Sequence, residues 1–233
     1  MSAQCLFKFV VIRLESLVLK LSHDAYIHGE MQVSYNIMMN IYAVAGLYRE
    51  AEELFQGMRR DGCSPDSFTY LSLVQAYTVA LKYSEAEETI NSMQKVGGGI
   101  PASCAHFNLL LSAFAKAGLV GEAERVYRKI FEAGLSPDLA CYRSMVRGYM
   151  EHGHVQRGIS FFERISSGGG GTSVEQPEPE ADRFIMSAAV HLYRSAGMEA
   201  RADSVLNSMD SLGIPFLKNL EIGGGSKANT LAS

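Results

Sequence analysis

Residues 32–66 read QVSYNIMMNIYAVAGLYREAEELFQGMRRDGCSPD and set the pattern for most of the chain. Residues 35–44 are almost wholly apolar, and Gly46 follows this run. Residues 48–59 then carry apolar side chains at i, i+3, i+4 and i+7, which is one face of an amphipathic helix: Ala51, Leu54, Phe55 and Met58. The Pro65–Asp66 pair opens the next segment. The stretch therefore predicts a helix–turn–helix unit whose first helix is too apolar to face water.

The same unit recurs along the chain. The place of Gly46, between the two helices, is taken by Leu81 in the second copy and by glycine in the others: Gly118, Gly153 and Gly197. The predicted repeats are 32–66, 67–103, 104–138, 139–182 and 183–217. One such hairpin cannot bury its apolar surface alone, so neighbouring copies must stack on each other. We therefore predict an all-α fold, an α-solenoid of stacked helix–turn–helix repeats.

The ends of the chain and the fourth repeat depart from the regular unit. We interpret residues 1–31 as a partial upstream repeat whose helix ends near Gly29, or as an N-terminal helix. An organelle transit sequence is the alternative, disfavoured by its acidic residues Glu15, Asp24 and Glu30. The second repeat is degenerate, and the fourth carries a Gly-rich and Pro/Glu-rich stretch, 166–182, that we predict to be a flexible insertion. Residues 218–233 are predicted to form a short cap and a disordered tail.

A line of polar residues recurs inside the apolar first helices. Its members are Asn36 and Asn40; Gln75 and Thr78; Asn108 and Ser112; Arg143 and Arg147; and Ser187, His191 and Arg194. Residues three or four apart share one helix face. In stacked repeats, a line in register predicts a continuous polar groove suited to binding. The alternative interpretation is that these groups only form hydrogen bonds between adjacent repeats.

The repeat resembles the unit of the pentatricopeptide repeat family, which has this length, a VTYN-like start and a terminal Pro-Asp. The matching segments are VSYN (33–36), AG (45–46), EAEELFQGM (50–58) and SPD (64–66). The tetratricopeptide repeat, with its period of about 34 residues and different small-residue positions, is a weaker match. The resemblance covers residues 32–217. It implies a P-type array without an editing domain, which would be the C-terminal part of a longer plant organellar protein.

In this family each repeat recognises about one RNA base through a few side chains. The resemblance therefore implies sequence-selective binding of single-stranded RNA in a chloroplast or mitochondrion. It assigns base reading to Asn36 with Asp66 and to Asn108 with Asp138, pairs that favour uracil and then cytosine. Weaker base positions are implied at Leu71, Arg143, Asp182 and Ser187. With RNA running 5′ to 3′ from the first repeat, as in the family, the preferred core is U-N-U-N-N.

Two further sets of residues are expected to contact RNA. Apolar residues three positions before the base readers should pack against base faces: Val33, Phe68, Ala105, Ala140 and Phe184. Basic residues on the same helices should contact phosphate: Lys116, Arg147 and Arg194. The formal net charge of the chain is −4, which argues against nonspecific gripping of phosphate. The predicted first helices nevertheless contain mostly basic charges, and this favours an anionic ligand.

The sequence contains no recognisable set of catalytic residues. His28-Gly29-Glu30 matches half of a zinc deaminase signature, but no P-C-x-x-C follows it. Neither a GxxxxGK[ST] phosphate loop nor a GxSxG elbow occurs. The spacing of the cysteines gives neither a disulfide framework nor a metal site, so we expect reduced thiols. No uninterrupted apolar run of about 18 residues occurs, so no membrane segment is predicted.

From these observations we predict a binding protein that is not an enzyme and needs no cofactor or metal. Single-stranded RNA is the expected ligand, with a preference for uracil at repeats 1 and 3. The competing hypothesis is a protein-interaction scaffold that holds a peptide in the concave groove. In that case the Asn–Asp pairs would serve as helix caps and as bonds between repeats.

Overall fold

The computed structural model describes residues 28–93, 99–166, 182–218 and 220, and all regular secondary structure in these ranges is α-helical. The helices are α1 (His28–Ala45), α2 (Tyr48–Arg60), α3 (Ser67–Val79), α4 (Tyr83–Met93), α5 (Cys104–Lys116), α6 (Val120–Glu132), α7 (Leu139–Glu151), α8 (Val155–Ser166), α9 (Arg183–Ser195) and α10 (Glu199–Ser211). Each predicted repeat thus contains one helical pair. Nearly all of the predicted insertion, and most of the predicted N-terminal segment and tail, lie outside the described residues.

The described residues form two compact units, which are divided between Ala113 and Phe114. In the first unit, α1 packs against α2 and against α3, and α3 packs in turn against α4. In the second unit, α7 packs against α6, α8 and α9, and α9 also packs against α8 and α10. Within each unit, therefore, a first helix contacts both its hairpin partner and the first helix of the next hairpin, as stacked repeats require.

The core of each hairpin comes from the apolar faces that the sequence pattern predicts. The stripe on α2 is buried in full: Ala51, Leu54, Phe55 and Met58. The first helix α1 contributes Tyr35, Met38, Met39 and Tyr42 to the same core. Phe55 meets Tyr70 of the next repeat edge to face, with ring centroids 5.4 Å apart. Burying one such large side chain stabilises the fold by about 1.5–3 kcal/mol relative to leaving it exposed.

A left-handed residue turns the chain between the two helices of each repeat. The glycines at this place have φ near +70°: Gly46 (66°), Gly118 (75°), Gly153 (70°) and Gly197 (71°). In repeat 2 the place belongs to Leu81, whose φ of 60° is the only positive value at a non-glycine among the described residues. A left-handed conformation costs an ordinary L-residue about 1–2 kcal/mol. Repeat 2 therefore keeps the turn of its neighbours at a conformational cost.

An aspartate caps the first helix of three repeats. Asp66, Asp138 and Asp182 precede α3, α7 and α9, and each carboxylate accepts a hydrogen bond from a backbone N–H three residues on, over 2.8, 2.9 and 3.0 Å. Such a cap contributes about 0.5–2 kcal/mol. The terminal Asp of each matching repeat thus begins the first helix of the following one. The junction between repeats is set by the same residue that the resemblance assigns to base reading.

The junction before α5 lacks an aspartate and uses a buried histidine instead. His106 is 1% exposed, and its Nδ1 accepts from the Ser103 N–H over 3.2 Å. The neutral ring then carries its proton on Nε2, which donates to the Ser67 carbonyl over 3.1 Å. Burial lowers the pKa of His106, although the bonds to Ser67 and Ser103 partly oppose this shift. His106 is therefore a neutral structural residue that ties α5 to the start of α3.

The start of the first repeat differs from the sequence-based expectation. Helix α1 includes His28, so Gly29 is helical, whereas the sequence predicted that an upstream helix ends near it. The polar and apolar residues from 28 to 31 extend the first helix of repeat 1 by one turn. A single glycine inside a helix costs only about 1 kcal/mol, and the packing of α1 outweighs this cost.

Candidate functional site

In repeat 1 the two predicted base-reading residues contact each other. Asn36 Nδ2 donates to Asp66 Oδ2 over 2.9 Å, and Gln32 Nε2, one turn earlier on α1, donates to the same oxygen over 3.2 Å. The other carboxylate oxygen, Oδ1, accepts from the Thr69 N–H over 2.8 Å. One oxygen of Asp66 thus caps α3 while the other holds the Asn36 amide.

Thr69 fixes the orientation of the Asn36 amide. Its hydroxyl lies 2.7 Å from Asn36 Oδ1, and its backbone N–H is bound by Asp66. Because a carboxylate only accepts, the Asn36 NH₂ group must face Asp66, and the amide oxygen then faces the Thr69 hydroxyl. This leaves the half-buried Asn36 with one N–H and one oxygen lone pair that no described protein group in this network uses. These two groups keep one donor and one acceptor of the amide available to a polar ligand.

The pKa of Asp66 is lower than the ordinary value for an aspartate. Burial by itself raises the pKa, but hydrogen bonds from the Thr69 N–H, the Asn36 amide, the Thr69 hydroxyl and Gln32 outweigh that effect. Asp66 is therefore ionised near neutral pH and acts only as an acceptor. The polarity of the whole network follows from this charge.

Repeat 4 has the same arrangement with a different side chain. Arg143 takes the place of Asn36, and its Nε and Nη2 donate to Asp182 Oδ1 and Oδ2 over 3.3 and 2.5 Å. Asp182 Oδ1 also accepts from the Ile185 N–H at the start of α9. The Arg143 side chain is 50% exposed, whereas that of Asp182 is only 7% exposed. The pKa of Asp182 is lowered, since the Arg143 bond and the Ile185 cap outweigh the effect of burial.

In repeat 5 the residue at the position of Asn36 is buried and contacts only the protein interior. Ser187 is fully buried, and its hydroxyl oxygen accepts from the Leu217 N–H over 3.1 Å. His191, one turn further on, bonds through Nε2 to the Leu217 carbonyl over 3.2 Å and stacks on Phe216. The prediction of Ser187 as a weak base position is therefore wrong, because a base cannot reach a fully buried hydroxyl.

The structure also differs from the predicted line of polar residues in repeat 2. Thr78 is buried, and its hydroxyl donates to the Gln75 carbonyl of its own helix over 2.9 Å, so it does not belong to an exposed groove. Leu71, at the position of Asn36, is half-buried and has no polar group to offer a base. In the third repeat, Asn108 is half-buried on α5 and Asp138 is the exposed cap of α7.

The residues predicted to stack on bases are exposed although they are apolar. Val33 is 57% exposed and Phe68 is 48% exposed, and both lie three residues before the base position of their repeat. Ala105 and Ala140, at the same position of repeats 3 and 4, are exposed as well, and Phe184 is half-buried. These side chains do not serve the core, so their hydrophobicity remains available to a ligand.

The residues predicted to contact phosphate are also exposed, namely Lys116, Arg147 and Arg194. The Arg147 guanidinium carbon lies 5.4 Å from the centre of the Phe184 ring. The Arg194 guanidinium carbon lies 5.9 Å from the Phe216 ring, and its Nε is 3.8 Å from a Glu199 oxygen. The two arginines thus lie beside aromatic rings on the second unit.

The described part of the chain contains no group of three or more His, Cys, Asp or Glu residues arranged to hold a metal ion. Among the same residues, no helix is long and apolar enough to cross a membrane.

Sequence reasoning missed two members of the repeat 1 network and the histidine junction. Gln32 lies one turn before the predicted polar residues of α1, and Thr69 belongs to the next repeat. The Asp66-x-x-Thr69 spacing was a usable signal, because both halves of a capping box are present there. His106 occupies the same third position in its repeat as Thr69, so the repeat frame marked it as a junction residue.

The paired helices, their left-handed turns and the linked junction residues define a protein of helical-hairpin repeats. The model of the PPR repeat family matches residues 31–79, and the PPR repeat model matches residues 68–98, 105–135 and 140–169. The chain belongs to the pentatricopeptide repeat family.

Relatives with curated names carry the same designation. A mitochondrial pentatricopeptide repeat-containing protein of Arabidopsis thaliana is 32% identical over 57% of this chain and 20% of its own length. A chloroplastic one from the same plant is 26% identical over 68% of this chain and 20% of its own length. The chain therefore spans about a fifth of the length of these two relatives.

Solved structures confirm the predicted fold class, an α-solenoid of stacked repeats. The pentatricopeptide repeat protein PPR10 from maize has been solved alone and in complex with an 18-nt psaJ RNA element. The RNA complex matches with a TM-score of 0.59 and 27% identity, over 77% of this chain and 25% of PPR10. The PPR domain of Arabidopsis thaliana protein-only RNase P 1, solved with tRNA, matches with a TM-score of 0.51 and 18% identity, over 74% of this chain and 93% of that domain. The latter similarity concerns the fold alone.

Proposed function

We propose that this chain binds single-stranded RNA with base selectivity, without catalysis, and that it serves RNA metabolism in a chloroplast or mitochondrion. The observation that carries the proposal is the Asn36 amide, which Asp66 and Thr69 hold in one orientation at the surface of α1. The similarity to PPR10, which has been solved with RNA, and the organellar names of the relatives give further support.

The oriented amide suits the Watson–Crick edge of uracil. Uracil presents its N3–H donor next to a carbonyl acceptor, so either the Asn36 oxygen accepts from N3–H or its free N–H donates to the carbonyl. Asp66 strengthens the amide oxygen as an acceptor, because an N–H that donates to a carboxylate shifts electron density onto that oxygen. Repeat 3 carries the same residue types, Asn108 and Asp138, and the family resemblance predicts the same role for them.

Exposed apolar side chains provide a stacking surface on either side of the first base. Val33 on α1 and Phe68 on α3 occupy the same position in consecutive first helices of the first unit, which pack against each other. A base aligned with Asn36 would lie between these two side chains. Stacking on such a surface contributes about 1–3 kcal/mol per base and is tolerant of base identity. Selectivity then rests on the amide and affinity on the stack.

Fluorescence anisotropy with short labelled RNAs tests the proposal. Since association itself costs about 4–15 kcal/mol, binding by the full chain should be micromolar or weaker, and the ratio between sequences is the informative quantity. We expect U-A-U-A-A to bind more tightly than A-A-A-A-A, and we expect Asn36→Ala with Asn108→Ala to abolish the difference. The matched control is Asn91→Ala with Asn207→Ala, since both residues are exposed on second helices. This control should keep the ranking.

Two outcomes would contradict the proposal in different ways. If the ranking survives the Asn36→Ala and Asn108→Ala changes, these residues do not select bases. If the chain binds no RNA even at low salt, where phosphate contacts are strongest, RNA is not its ligand. The latter result would favour a protein scaffold, with the exposed apolar residues of the first helices as the peptide-binding surface.

A further inference from the structure

The fourth repeat presents a positively charged group where the first presents an amide. Arg143 lies on α7 at the position of Asn36 on α1, and each contacts the aspartate that caps the next first helix. Arginine at this place is not explained by the Asn–Asp pairing, since a guanidinium has no acceptor and cannot bind N3–H of uracil. Repeat 4 therefore needs a different ligand chemistry.

The two hydrogen bonds from the Arg143 guanidinium to Asp182, called the arginine fork below, leave one edge of the guanidinium available. Arg143 has five N–H donors, of which the Nε–H and one Nη2–H point at the carboxylate. The second Nη2–H and both hydrogens of Nη1 remain, and the second Nη2–H with one Nη1–H forms an edge of two parallel donors. The Arg143 side chain is half exposed, while Asp182, which holds it, is almost fully buried. The carboxylate thus fixes the orientation of the guanidinium.

A two-donor edge selects bases that offer two adjacent acceptors. The O6 and N7 atoms of guanine form such a pair, and a bidentate arginine on them is the commonest specific contact between proteins and bases. Adenine places an NH₂ donor beside N7, and uracil places N3–H between its two carbonyls, so both oppose the arginine edge with a donor. Cytosine offers N3 and O2 on its Watson–Crick edge and is the nearest competitor.

The surroundings of Arg143 also favour a purine with an electron-rich edge. Arg147, one turn further along α7, adds a second positive charge, and it lies over the half-buried Phe184 ring at the start of α9. Ala140, at the stacking position of repeat 4, is exposed and small, which leaves room for a two-ring base. The positive charge and the available space at this repeat therefore both favour a purine with an electron-rich edge.

We infer that repeat 4 selects guanine through Arg143, which Asp182 holds in a side-on fork, so that the preferred core becomes U-N-U-G-N. This inference rests on the proposed RNA binding and assigns a base to a repeat that the Asn–Asp pairing leaves unassigned. Arg143 is a specificity-determining residue and Asp182 is its positioning residue.

The test compares RNAs of the form U-A-U-X-A on the full chain by fluorescence anisotropy, with X as guanine, cytosine, adenine or uracil. Guanine should bind most tightly, on the order of tenfold above uracil and adenine, with cytosine between them. Two modified bases locate the contact. Inosine keeps O6 and N7 and should bind like guanosine, whereas 7-deazaguanosine lacks N7 and should lose most of the advantage.

Variants connect the preference to the arginine fork. Arg143→Lys keeps the positive charge but cannot form the two-donor edge, so it should equalise the four bases at X. The matched control is Arg201→Lys, because Arg201 pairs with Glu163 on second helices of the same unit. It should leave the ranking at X unchanged. Thermal melting of both variants checks that the fold is retained.

The outcomes separate this inference from the proposed function. If uracil is still preferred at the first and third positions but X is indifferent, or if cytosine exceeds guanine there, the guanine assignment is wrong and the proposed function stands. If Arg143→Lys weakens all four RNAs equally, Arg143 contacts phosphate and the assignment is also wrong. If no sequence ranking exists at any position, both proposals fail.

Discussion

Repeats 1 and 4 place different side chains at the same point of the same hairpin. In repeat 1 the neutral Asn36 amide lies on Asp66, and in repeat 4 the Arg143 guanidinium lies on Asp182. In both repeats the aspartate Oδ1 caps the next first helix, and Oδ2 accepts from the side chain of the preceding first helix. In repeat 4, Oδ1 also accepts from the Arg143 Nε–H, so the guanidinium contacts both oxygens.

This comparison separates the features that build a repeat, namely its helices and caps, from the side chain that varies between repeats. The capping aspartate is a structural requirement at both junctions, and it would be needed whether or not a ligand bound. The side chain held by the aspartate varies, since one junction has an amide and the other has a guanidinium. Under the proposed function, the position in the repeat decides where RNA is contacted, and the identity of one side chain decides which base is preferred.

The largest expected effect comes from removing the aspartates. Asp182→Ala should lower the free energy of unfolding by about 3 kcal/mol, because it removes a cap and leaves Arg143 without its carboxylate. Asp66→Ala removes a cap and neutral hydrogen bonds, and should cost about 2 kcal/mol. Urea denaturation followed by circular dichroism measures both losses.

Asp138→Ala is the reference for these two variants, since its exposed carboxylate caps α7 and should contribute about 1 kcal/mol. If Asp182→Ala costs no more than Asp138→Ala, the fork with Arg143 contributes nothing to stability. The comparison of repeats 1 and 4 would then rest on geometry alone.

Exchanging the held side chains should exchange the base preferences. Arg143→Asn recreates the repeat 1 pair on Asp182, so the fourth base should change from guanine to uracil. Asn36→Arg should bring a guanine preference to the first base in the same way. Each change should alter the ratio of the two affinities by on the order of tenfold in each direction. Anisotropy titrations with guanine or uracil at the relevant position measure the ratio, and an unchanged ratio in both variants would mean that the junction position does not select bases.

Most of the helices and turns of the repeats could be predicted from the sequence. Most of the errors concern contacts between one repeat and the next. The apolar stripe of α2 was predictable because helical periodicity and burial are both local properties. The burial of Ser187 was not, because it depends on Leu217, thirty residues further along the chain. The fork of Arg143 on Asp182 was equally hidden, since the two residues are joined only when consecutive first helices stack. Sequence marks the positions of the repeat, but the partners at a junction come from two repeats.

Acid should weaken the contributions of both aspartates to stability. The pKa of each is lower in the folded chain than its ordinary value, so each stabilises the fold above a pH of about 4 and loses this contribution as the pH falls through the lower folded-state pKa. Asn replacements keep a capping oxygen and should flatten this acid dependence, with a smaller loss at neutral pH than the alanine changes cause.

Added salt sharpens the distinction between the two junctions. The contribution of Asp182 should weaken with salt, because its partner Arg143 is charged and half exposed. That of Asp66 should not, because its partners are neutral. Urea denaturation at several pH values, in low and high salt, measures both dependences. Equal salt sensitivity at the two junctions would contradict the contrast between a neutral and a charged pair.

The smallest effect concerns the left-handed turn between the two helices, which has glycine in repeats 1 and 4 and Leu81 in repeat 2. Leu81→Gly should raise the free energy of unfolding by about 1 kcal/mol or slightly less, because relief of the left-handed strain exceeds the added freedom of the unfolded chain. Little burial is lost, since Leu81 is 69% exposed. Leu119→Gly is the matched control: Leu119 follows the glycine turn of repeat 3 with a φ of −82°, so glycine there should destabilise the fold. Because neither leucine is assigned a contact with RNA, both variants should keep the base ranking of the unmodified chain. A loss of stability in Leu81→Gly would show that its side chain contributes more than its backbone conformation costs, and repeat 2 would then have a turn of its own kind.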